Sequence, residues 1–398
     1  MGRVTTIPSR AISFGRAVSL CTTLGLALFF LHCGSNNHAV PCLTCQIGPH
    51  YVFTANATGG PSTVSALTSD ATTGAMASIT GSPFGTGLGS VALATSPASG
   101  HLYVANRLSG DISAFTIDLN TGGLNAIAGS AFVAEPGVNS LAVEAGGRFL
   151  YAVSGNSANL WTFSIDASGA LARITGTPTL ITTQPGAASS SVVIDPTGHY
   201  LYAATGTSFG TTLFGFRLDS TTGALTPLGF APVLYGVGNK SAFDLSGKVL
   251  LVTGANVFGT AGGVEVFTFN SSTGDLVLGL GSPVQVGDNP TGVAVDGTGK
   301  YVYVPNTSDA TISAFSLDSA SGALTAVSGS PFPSGGKGTI NGPMGIAADT
   351  TGHFVFLCNA SNDISVFSIN SGSGALSAIA GSPFPDGGHA PVAIVFVP

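Results

Sequence analysis

A cysteine pair is the first feature of this sequence whose residue types and spacing could do chemistry. Cys42-Leu-Thr-Cys45 has the spacing of a redox dithiol or of half a zinc site. The sequence holds no second C-x-x-C, and no strand-then-helix pattern surrounds this one, so both interpretations are disfavoured. A small disulfide in an exported segment is the simpler interpretation, and the redox state of the pair stays open. Cys358 lies in an apolar run and is interpreted as buried and inert.

Acids and bases recur at a fixed spacing of four residues, which could be mistaken for a set of metal ligands. The pairs are Glu144/Arg148, Asp195/His199, Asp244/Lys248, Asp296/Lys300 and Asp349/His353. Lys and Arg hold places equivalent to His, and neither can replace His as a metal ligand. We therefore predict no metal site and no cofactor, and interpret the pairs as solvated ion pairs in turns, each worth little.

These turns belong to a repeat of about 50 residues, which is the period of a propeller blade. One landmark is an Asp or Asn followed by Gly, a pairing that closes a hairpin turn because Gly accepts positive φ. It occurs seven times, at Asp70/Gly74, Asp118/Gly122, Asp166/Gly169, Asp219/Gly223, Asn270/Gly274, Asp318/Gly322 and Asn370/Gly374. A second landmark, Gly-Ser-Pro or a close relative, follows the last strand of most repeats and is absent at Gly229.

Each repeat contains four short apolar runs that alternate with period two, as in residues 292–327. A four-stranded sheet cannot cover both of its faces, so it needs neighbours on each side. The repeat region begins at Tyr51 with a second strand and ends at Val392–Val397 with a first strand. We therefore predict an all-β fold for residues 50–398: a seven-bladed β-propeller of four-stranded blades in which the C-terminal strand closes blade one.

The first 49 residues are predicted to serve export. Residues 1–32 carry three arginines and no acid, and then an apolar run from Ala17 to Leu31 that is short for a membrane span and fits a signal peptide. Cys33 follows and resembles the lipidated residue of a bacterial lipoprotein, although His32 stands where a small residue is usual. Residues 33–49 are interpreted as a polar tether, and the location as extracytoplasmic: periplasmic, membrane-anchored or secreted.

The small number of basic residues limits the binding partners of this protein. The formal net charge is −7, and only eight of the 11 Lys and Arg residues remain once Arg3, Arg10 and Arg16 are removed with the signal peptide. Nucleic acid is excluded because phosphate binding requires concentrated positive charge. We expect contact with a membrane only through a lipid anchor on Cys33, and we expect a monomer.

The candidate ligand site lies in the irregular loops of one propeller face. Loops from strand four to the next strand one share that face with loops from strand two to strand three, and their polar residues do not follow the repeat. Some second strands end in Asn, at Asn56, Asn106, Asn306 and Asn359, which fits either turn structure or a polar pocket lining. The predicted ligand-binding residues, near the propeller axis, are Arg107, Asn289, Lys337, Asn341 and His389.

Blades of the form Y-V-x-N, I-S-x-F-x-I-D, T-G-x-L and G-S-P-F resemble the lactonase-type seven-bladed propeller family, which includes 6-phosphogluconolactonase-like and YVTN-repeat proteins. In family members regarded as enzymes, the resemblance implies a Pro-Arg-His triplet and a Glu converging on the central pocket. The corresponding places here read Ser189-Ser190-Ser191, Asn289-Pro290-Thr291 and Gly342-Pro343-Met344. The catalytic residues are therefore unknown at this point.

Two functions follow from the sequence. The missing triplet favours an exported module that binds a small molecule, a glycan or a protein through its loop face. The alternative is a sugar-lactone hydrolase, for which the cations within reach are Arg107, Lys240, Lys337 and His389. In that case His389 with Asp386 or Asp363 is the nominated base.

Overall fold

The computed structural model describes residues 50–57, 61–96, 100–207, 210–229, 231–258, 261–336 and 342–398. These residues form seven antiparallel sheets and, within those ranges, no helix. No helix long and apolar enough to cross a membrane occurs in this part of the chain. The prediction of an all-β seven-bladed propeller is confirmed.

The blades share one strand order, from the channel outward. The innermost strands of blades 1 to 7 are Pro391–Val397, Ser90–Ser96, Val138–Val143, Ala188–Ile194, Val237–Phe243, Ala294–Val295 and Pro343–Ala348. The second strands are His50–Asn56, His101–Asn106, Phe149–Ser154, Tyr200–Thr207, Val249–Phe258, Tyr301–Asn306 and Phe354–Asn359. The third strands are Thr63–Ser69, Asp111–Ile117, Asn159–Ile165, Gly210–Leu218, Ala261–Phe269, Thr311–Asp318 and Asp363–Ile369.

The fourth, outermost strand of every blade is split into two short segments that both pair with the third strand. The first segments are Met76–Ser78, Leu124–Ala126, Leu171–Arg173, Leu225–Pro227, Leu276–Leu278, Ala323–Ala326 and Leu376–Ala378. The second segments are Phe84–Gly85, Phe132–Val133, Thr179–Leu180, Val233–Leu234, Val284–Gln285, Phe332–Pro333 and Phe384–Pro385. The Gly-Ser-Pro motif lies at the break, where its serine accepts a third-strand amide, as Ser330 Oγ does from Ala314 N at 2.9 Å.

The ring closes through its two chain ends, as predicted. Pro391–Val397 pairs antiparallel with His50–Asn56, from Tyr51 opposite Val397 to Asn56 opposite Pro391. The innermost strand of each blade packs on that of the next, and Pro391–Val397 packs on both Ser90–Ser96 and Pro343–Ala348. Blade 1 is therefore assembled from segments that are more than 300 residues apart in the chain.

Tyrosines of the second strands link neighbouring blades. The Tyr103 hydroxyl donates to the carbonyl of Gly169 in the next blade at 3.0 Å, and Tyr151 and Tyr303 do the same to Gly223 and Gly374. Tyr202 makes the equivalent bond to Gly274. The turn glycine at this point has positive φ and no space for a side chain: a Cβ on Gly374 would lie 2.3 Å from the ring of Tyr301.

The repeated turn acids are buried, so the interpretation of solvated ion pairs was wrong. Asp195, Asp244, Asp296 and Asp349 are 1–2% exposed and Glu144 is 5% exposed. Asp296 Oδ1 accepts the amides of Lys300 and Tyr301 at 2.8 and 2.7 Å, and the other aspartates do the same. Among the described residues the sole ion pair is Arg148–Glu144, at 3.6 Å. These carboxylates accept hydrogen bonds from backbone amides, and apart from Arg148 the base four residues later forms no ion pair with the acid in the described structure.

Candidate functional site

A cavity of about 230 Å³ lies in the central channel, where the innermost strands begin. Its lining is small or apolar in most blades, with Val91, Leu141, Val192, Ile346 and Ile394 among the side chains. The strands enter the cavity from the loops that join strand four to the next strand one. The cavity therefore lies toward the face that the sequence analysis selected.

One cation lies in this apolar wall. Lys240, on the innermost strand of blade 5, is half-buried in the cavity lining. Burial lowers the pKa of its ammonium, and the nearby positive charge of Arg107 lowers that pKa further. Within the described chain, Lys240 Nζ has neither a hydrogen bond nor an ion pair. A ligand with an anionic or carbonyl oxygen could supply the missing acceptor.

Polar groups of the neighbouring blades face the same space. Asn139 Nδ2 donates to the carbonyl of Ser189 at 3.0 Å, while its buried Oδ1 has no hydrogen-bond partner. Ser191 Oγ and Ser241 Oγ lie 3.0 Å apart. Only one of the two hydroxyl protons can lie between these oxygens, so the other can be donated to a ligand. The cavity thus offers a hydroxyl donor and the Lys240 side chain, while the Asn139 oxygen is buried away from it.

The structure places three of the five predicted ligand-binding residues on this face, and all three are exposed: Arg107, Asn289 and His389. Arg107 follows the second strand of blade 2, and its charge reaches Lys240. Asn289 and His389 lie in loops that lead to the innermost strands of blades 6 and 1, and no hydrogen bond or ion pair joins any two of the three. Lys337 and Asn341 lie outside the described residues, as do Cys33, Cys42 and Cys45.

The nominated base pair of His389 with Asp386 is not formed. Asp386 is 0% exposed and its carboxylate accepts from Ser65 Oγ at 3.0 Å, from Gly388 N at 3.0 Å and from Thr54 Oγ1. Asp363 is also buried and accepts from Asn359 and Ser361. Neither carboxylate lines the cavity.

The asparagines that end second strands are structural and do not line the cavity. Asn106 Nδ2 donates to Ser113 Oγ on the third strand at 2.8 Å, and the same bond recurs from Asn306 to Ser313 and from Asn359 to Ser365. These asparagines are fully buried. Of the two interpretations left open by the sequence, turn structure is the one the contacts support.

Blade 5 breaks this pattern with a residue that the sequence analysis missed. Glu265 takes the place of the serine, and Gly254 takes the place of the asparagine. The Glu265 side chain is 1% exposed; its Oε1 accepts the amide of Tyr235 at 2.7 Å and its Oε2 has no partner. Burial raises the pKa of this carboxyl to about 7. The sequence does carry a signal for this residue. The chain has only three glutamates, and this one stands at a repeat position that the other blades fill with Ser or an apolar residue.

Glu265 should make stability depend on pH. A carboxyl whose pKa is higher in the folded state contributes stability that is fully present below its unfolded value, 4.5, and is lost as pH rises through about 7. Between pH 5 and pH 8 we expect Glu265→Gln to gain stability relative to wild type, on the order of 2 kcal/mol. Urea unfolding at both pH values measures this, with Asp275→Asn, at an exposed turn carboxylate, as control. An unchanged difference between wild type and E265Q would contradict it.

No group of three or more His, Cys, Asp or Glu side chains able to hold a metal ion occurs among the described residues. The lining of the cavity consists of hydroxyl, amide, amine and apolar groups. This donor set suits an uncharged or singly anionic organic ligand with several oxygens.

The fold and the cavity define a seven-bladed propeller with a ligand-sized pocket on its axis. The model of the family described as Lactonase, 7-bladed beta-propeller matches residues 48–181, 140–288 and 283–396. The chain therefore belongs to this family. Among curated proteins no sequence matches it.

Solved structures show the same fold at low sequence identity. A putative 6-phosphogluconolactonase from Bacteroides fragilis superposes with a TM-score of 0.67 at 20% identity, covering 89% of this chain and 99% of the other. The periplasmic gluconolactonase PpgL of Pseudomonas aeruginosa gives 0.66 at 19% identity, with 88% and 99% covered. A protein from Lactobacillus plantarum gives 0.68 at 17% identity, with 88% and 100% covered.

Proposed function

We propose that this protein hydrolyses a sugar lactone bound in the central cavity. The observation that carries the proposal is Lys240: it is the one titratable side chain in the described lining of the axial cavity, it has no partner among the described residues, and the propeller is of the lactonase family. Two structural neighbours bear the names of gluconolactonases, which supports the same class of substrate.

The cavity has the dimensions and the groups for such a ligand. Water occupies about 30 Å³ per molecule in the liquid, so a cavity of about 230 Å³ has room for roughly seven waters, on the scale of one sugar ring. Lactone hydrolysis needs a base for the attacking water and donors for the oxygen that becomes negative. Lys240 and the Ser191–Ser241 hydroxyl pair can supply these, although the Arg and His of the family triplet are absent.

Binding without turnover is the second candidate, and the replacement of the triplet by Ser189–Ser191 is the observation that favours it. The same cavity would then hold a hydroxylated ligand, and the loop residues would select it.

A panel of sugar lactones, phosphorylated and unphosphorylated, tests the proposal. We expect ring opening above the spontaneous rate on at least one lactone, measured as acid release in a pH-stat. Alanine at Arg107 or His389 should reduce kcat/KM or ligand affinity while changing stability by less than about 0.5 kcal/mol. Alanine at Asn289 should have the same functional effect but cost more stability, because the φ of this residue is 53°, where Asn is tolerated better than Ala.

Arg148→Ala, at an exposed turn on the opposite face, is the matched control and should behave as wild type. Binding of a lactone without turnover would favour the second candidate. An effect confined to the Arg148 variant would place the site on the opposite face of the propeller and contradict the proposal.

We also propose export, on the strength of the arginines and the apolar run in residues 1–32. Cell fractionation should find the protein outside the cytoplasm and lacking that segment. If Cys33 carries the anchor, labelled palmitate should mark the protein and Cys33→Ser should remove the mark. Full-length protein in the cytoplasm would contradict export.

A further inference from the structure

Lys240 is the single titratable side chain among the described residues that line the central cavity. The rest of the lining consists of Ser, Thr and Asn side chains, glycines and apolar residues. The acidic candidates that the sequence offered, Asp363 and Asp386, are buried in blades 7 and 1 and occupied by other donors. A proton taken up inside the cavity therefore has one side chain to receive it.

We propose that Lys240, in its neutral amine form, is the catalytic residue that accepts the proton of the attacking water. This inference rests on the proposed function, since it assigns a role in lactone hydrolysis. It differs from a purely electrostatic role, in which Lys240 would stay protonated and act only as a fixed positive charge.

The surroundings of Lys240 disfavour its charged form relative to an ordinary lysine. The apolar wall removes water from the ammonium, and the Arg107 guanidinium places a second positive charge nearby, so the pKa of Lys240 is lowered. A carboxylate against the ammonium would oppose both effects, and the described lining contains none.

The other polar groups of the cavity would fix the substrate. The Asn139 Oδ1 is buried away from the cavity space, so the serine hydroxyls are the neutral hydrogen-bonding groups that meet the substrate. The spare proton of the Ser191–Ser241 pair matches the carbonyl oxygen of the lactone.

The proposed step conserves atoms and charge. The water oxygen bonds to the lactone carbonyl carbon while one water proton moves to Lys240 Nζ, and the carbonyl π electrons pass to the oxygen facing the serines. When the tetrahedral carbon re-forms its carbonyl, the bond to the ring oxygen breaks, and that oxygen takes the proton back from Lys240. The product is the open hydroxy acid, which loses its acidic proton to solvent, and Lys240 returns to the neutral amine.

Two substitutions separate a base from a fixed charge. Lys240→Met removes both properties, and Lys240→Arg keeps the charge but stays protonated at every relevant pH. We expect both to lower kcat/KM on the best lactone of the panel by at least about 100-fold. In wild type, kcat/KM should rise with pH through a pKa below that of an ordinary lysine. Lys248→Met, at an exposed turn lysine on the opposite face, is the control and should retain wild-type rates.

A second readout is independent of turnover. The chain has four lysines, Lys240, Lys248, Lys300 and Lys337, so reductive methylation with ¹³C-formaldehyde should give few NMR signals, and Lys240→Met identifies the one of interest. That signal should titrate below those of Lys248 and Lys300.

The outcomes separate the two proposals. Wild-type turnover with full activity in Lys240→Arg would overturn the base and leave the lactonase function standing, and so would titration of Lys240 at an ordinary lysine pKa. The absence of turnover on every lactone would overturn the function itself, and the role of Lys240 with it.

Discussion

Removal of residues 391–398 should abolish the folded propeller. The deletion leaves His50–Asn56 as an open edge and removes the buried side chains of Ile394 and Val397. Each of these side chains contributes about 2 kcal/mol and each ladder hydrogen bond about 1 kcal/mol. Their sum approaches the 5–15 kcal/mol that stabilises a typical domain. Circular dichroism should show no cooperative melt, and the protein should aggregate through the exposed strand.

Deletion of Pro398 alone is the matched control, because it leaves Pro391–Val397 intact, and its Tm should equal that of wild type. A peptide of residues 391–398 added to the truncated protein should restore part of the melt by pairing with the open edge. A truncated protein with the wild-type Tm would show that the chain ends do not hold the ring.

Asp386→Ala should be the most damaging single substitution of a polar residue. Six blades place Thr86, Ala134, Ile181, Leu234, Val286 or Ser334 at the equivalent position, and only the blade junction that closes the ring has a carboxylate there. Its carboxylate accepts from Thr54 and Ser65. With the Asn56 amide turned so that its nitrogen faces Asp386, Asn56 also donates to it at 2.9 Å. All three partners belong to the first strands of the chain. Alanine would leave these buried donors unpaired, at a cost of about 3 kcal/mol in urea unfolding.

Asp386→Asn is the informative partner variant. Burial raises the pKa of Asp386, the hydrogen bonds from Thr54, Ser65 and Gly388 oppose that shift, and Asp363 adds to it. The stability that comes from proton binding is therefore present at low pH and lost as pH rises through the raised value. We expect Asp386→Asn to gain stability relative to wild type as pH increases. Equal stability of wild type and Asp386→Ala would show that the carboxylate does not join the chain ends.

The fold was predictable because the same structural requirements recur in seven repeats of the sequence. Turn glycines such as Gly374 must have positive φ and no side chain, so their spacing reveals the blades without knowledge of any contact. Closure followed from which strand of the blade each end supplies. The burial of Asp296 and its equivalents was missed, because an acid that binds backbone amides and an acid in an exposed ion pair have the same spacing in sequence.

From the sequence, the site could be assigned only to one face of the propeller. Arg107, Asn289 and His389 do lie on the loops of that face, since phase within the repeat assigns a residue to one end of a blade. The position of a residue within the repeat does not indicate which strand residues reach the propeller axis. Lys240 had been one of several cations within reach, and its isolation in an apolar wall depends on side chains from other blades. Glu265 was missed because its burial in blade 5 depends on the packing around it, and a glutamate at this phase of the repeat does not reveal that packing.

The tyrosine links between blades do not run the whole way round the ring. Blade 1 is joined to blade 2 through Tyr51, and blades 2, 3, 4 and 6 each donate a tyrosine hydroxyl to the blade that follows. Blades 5 and 7 have Leu251 and Phe356 at that position and make no such bond. The tyrosine links therefore divide the ring into two arcs, blades 1–5 and blades 6–7. The two junctions without these links are held by other bonds: the Leu280 amide of blade 5 donates to the carbonyl of Ser321 in blade 6 at 3.2 Å, and the buried carboxylate of Asp386 lies where blade 7 meets blade 1. A movement of one arc relative to the other would widen or narrow the channel between Lys240 on one arc and Met344 on the other without breaking a tyrosine link.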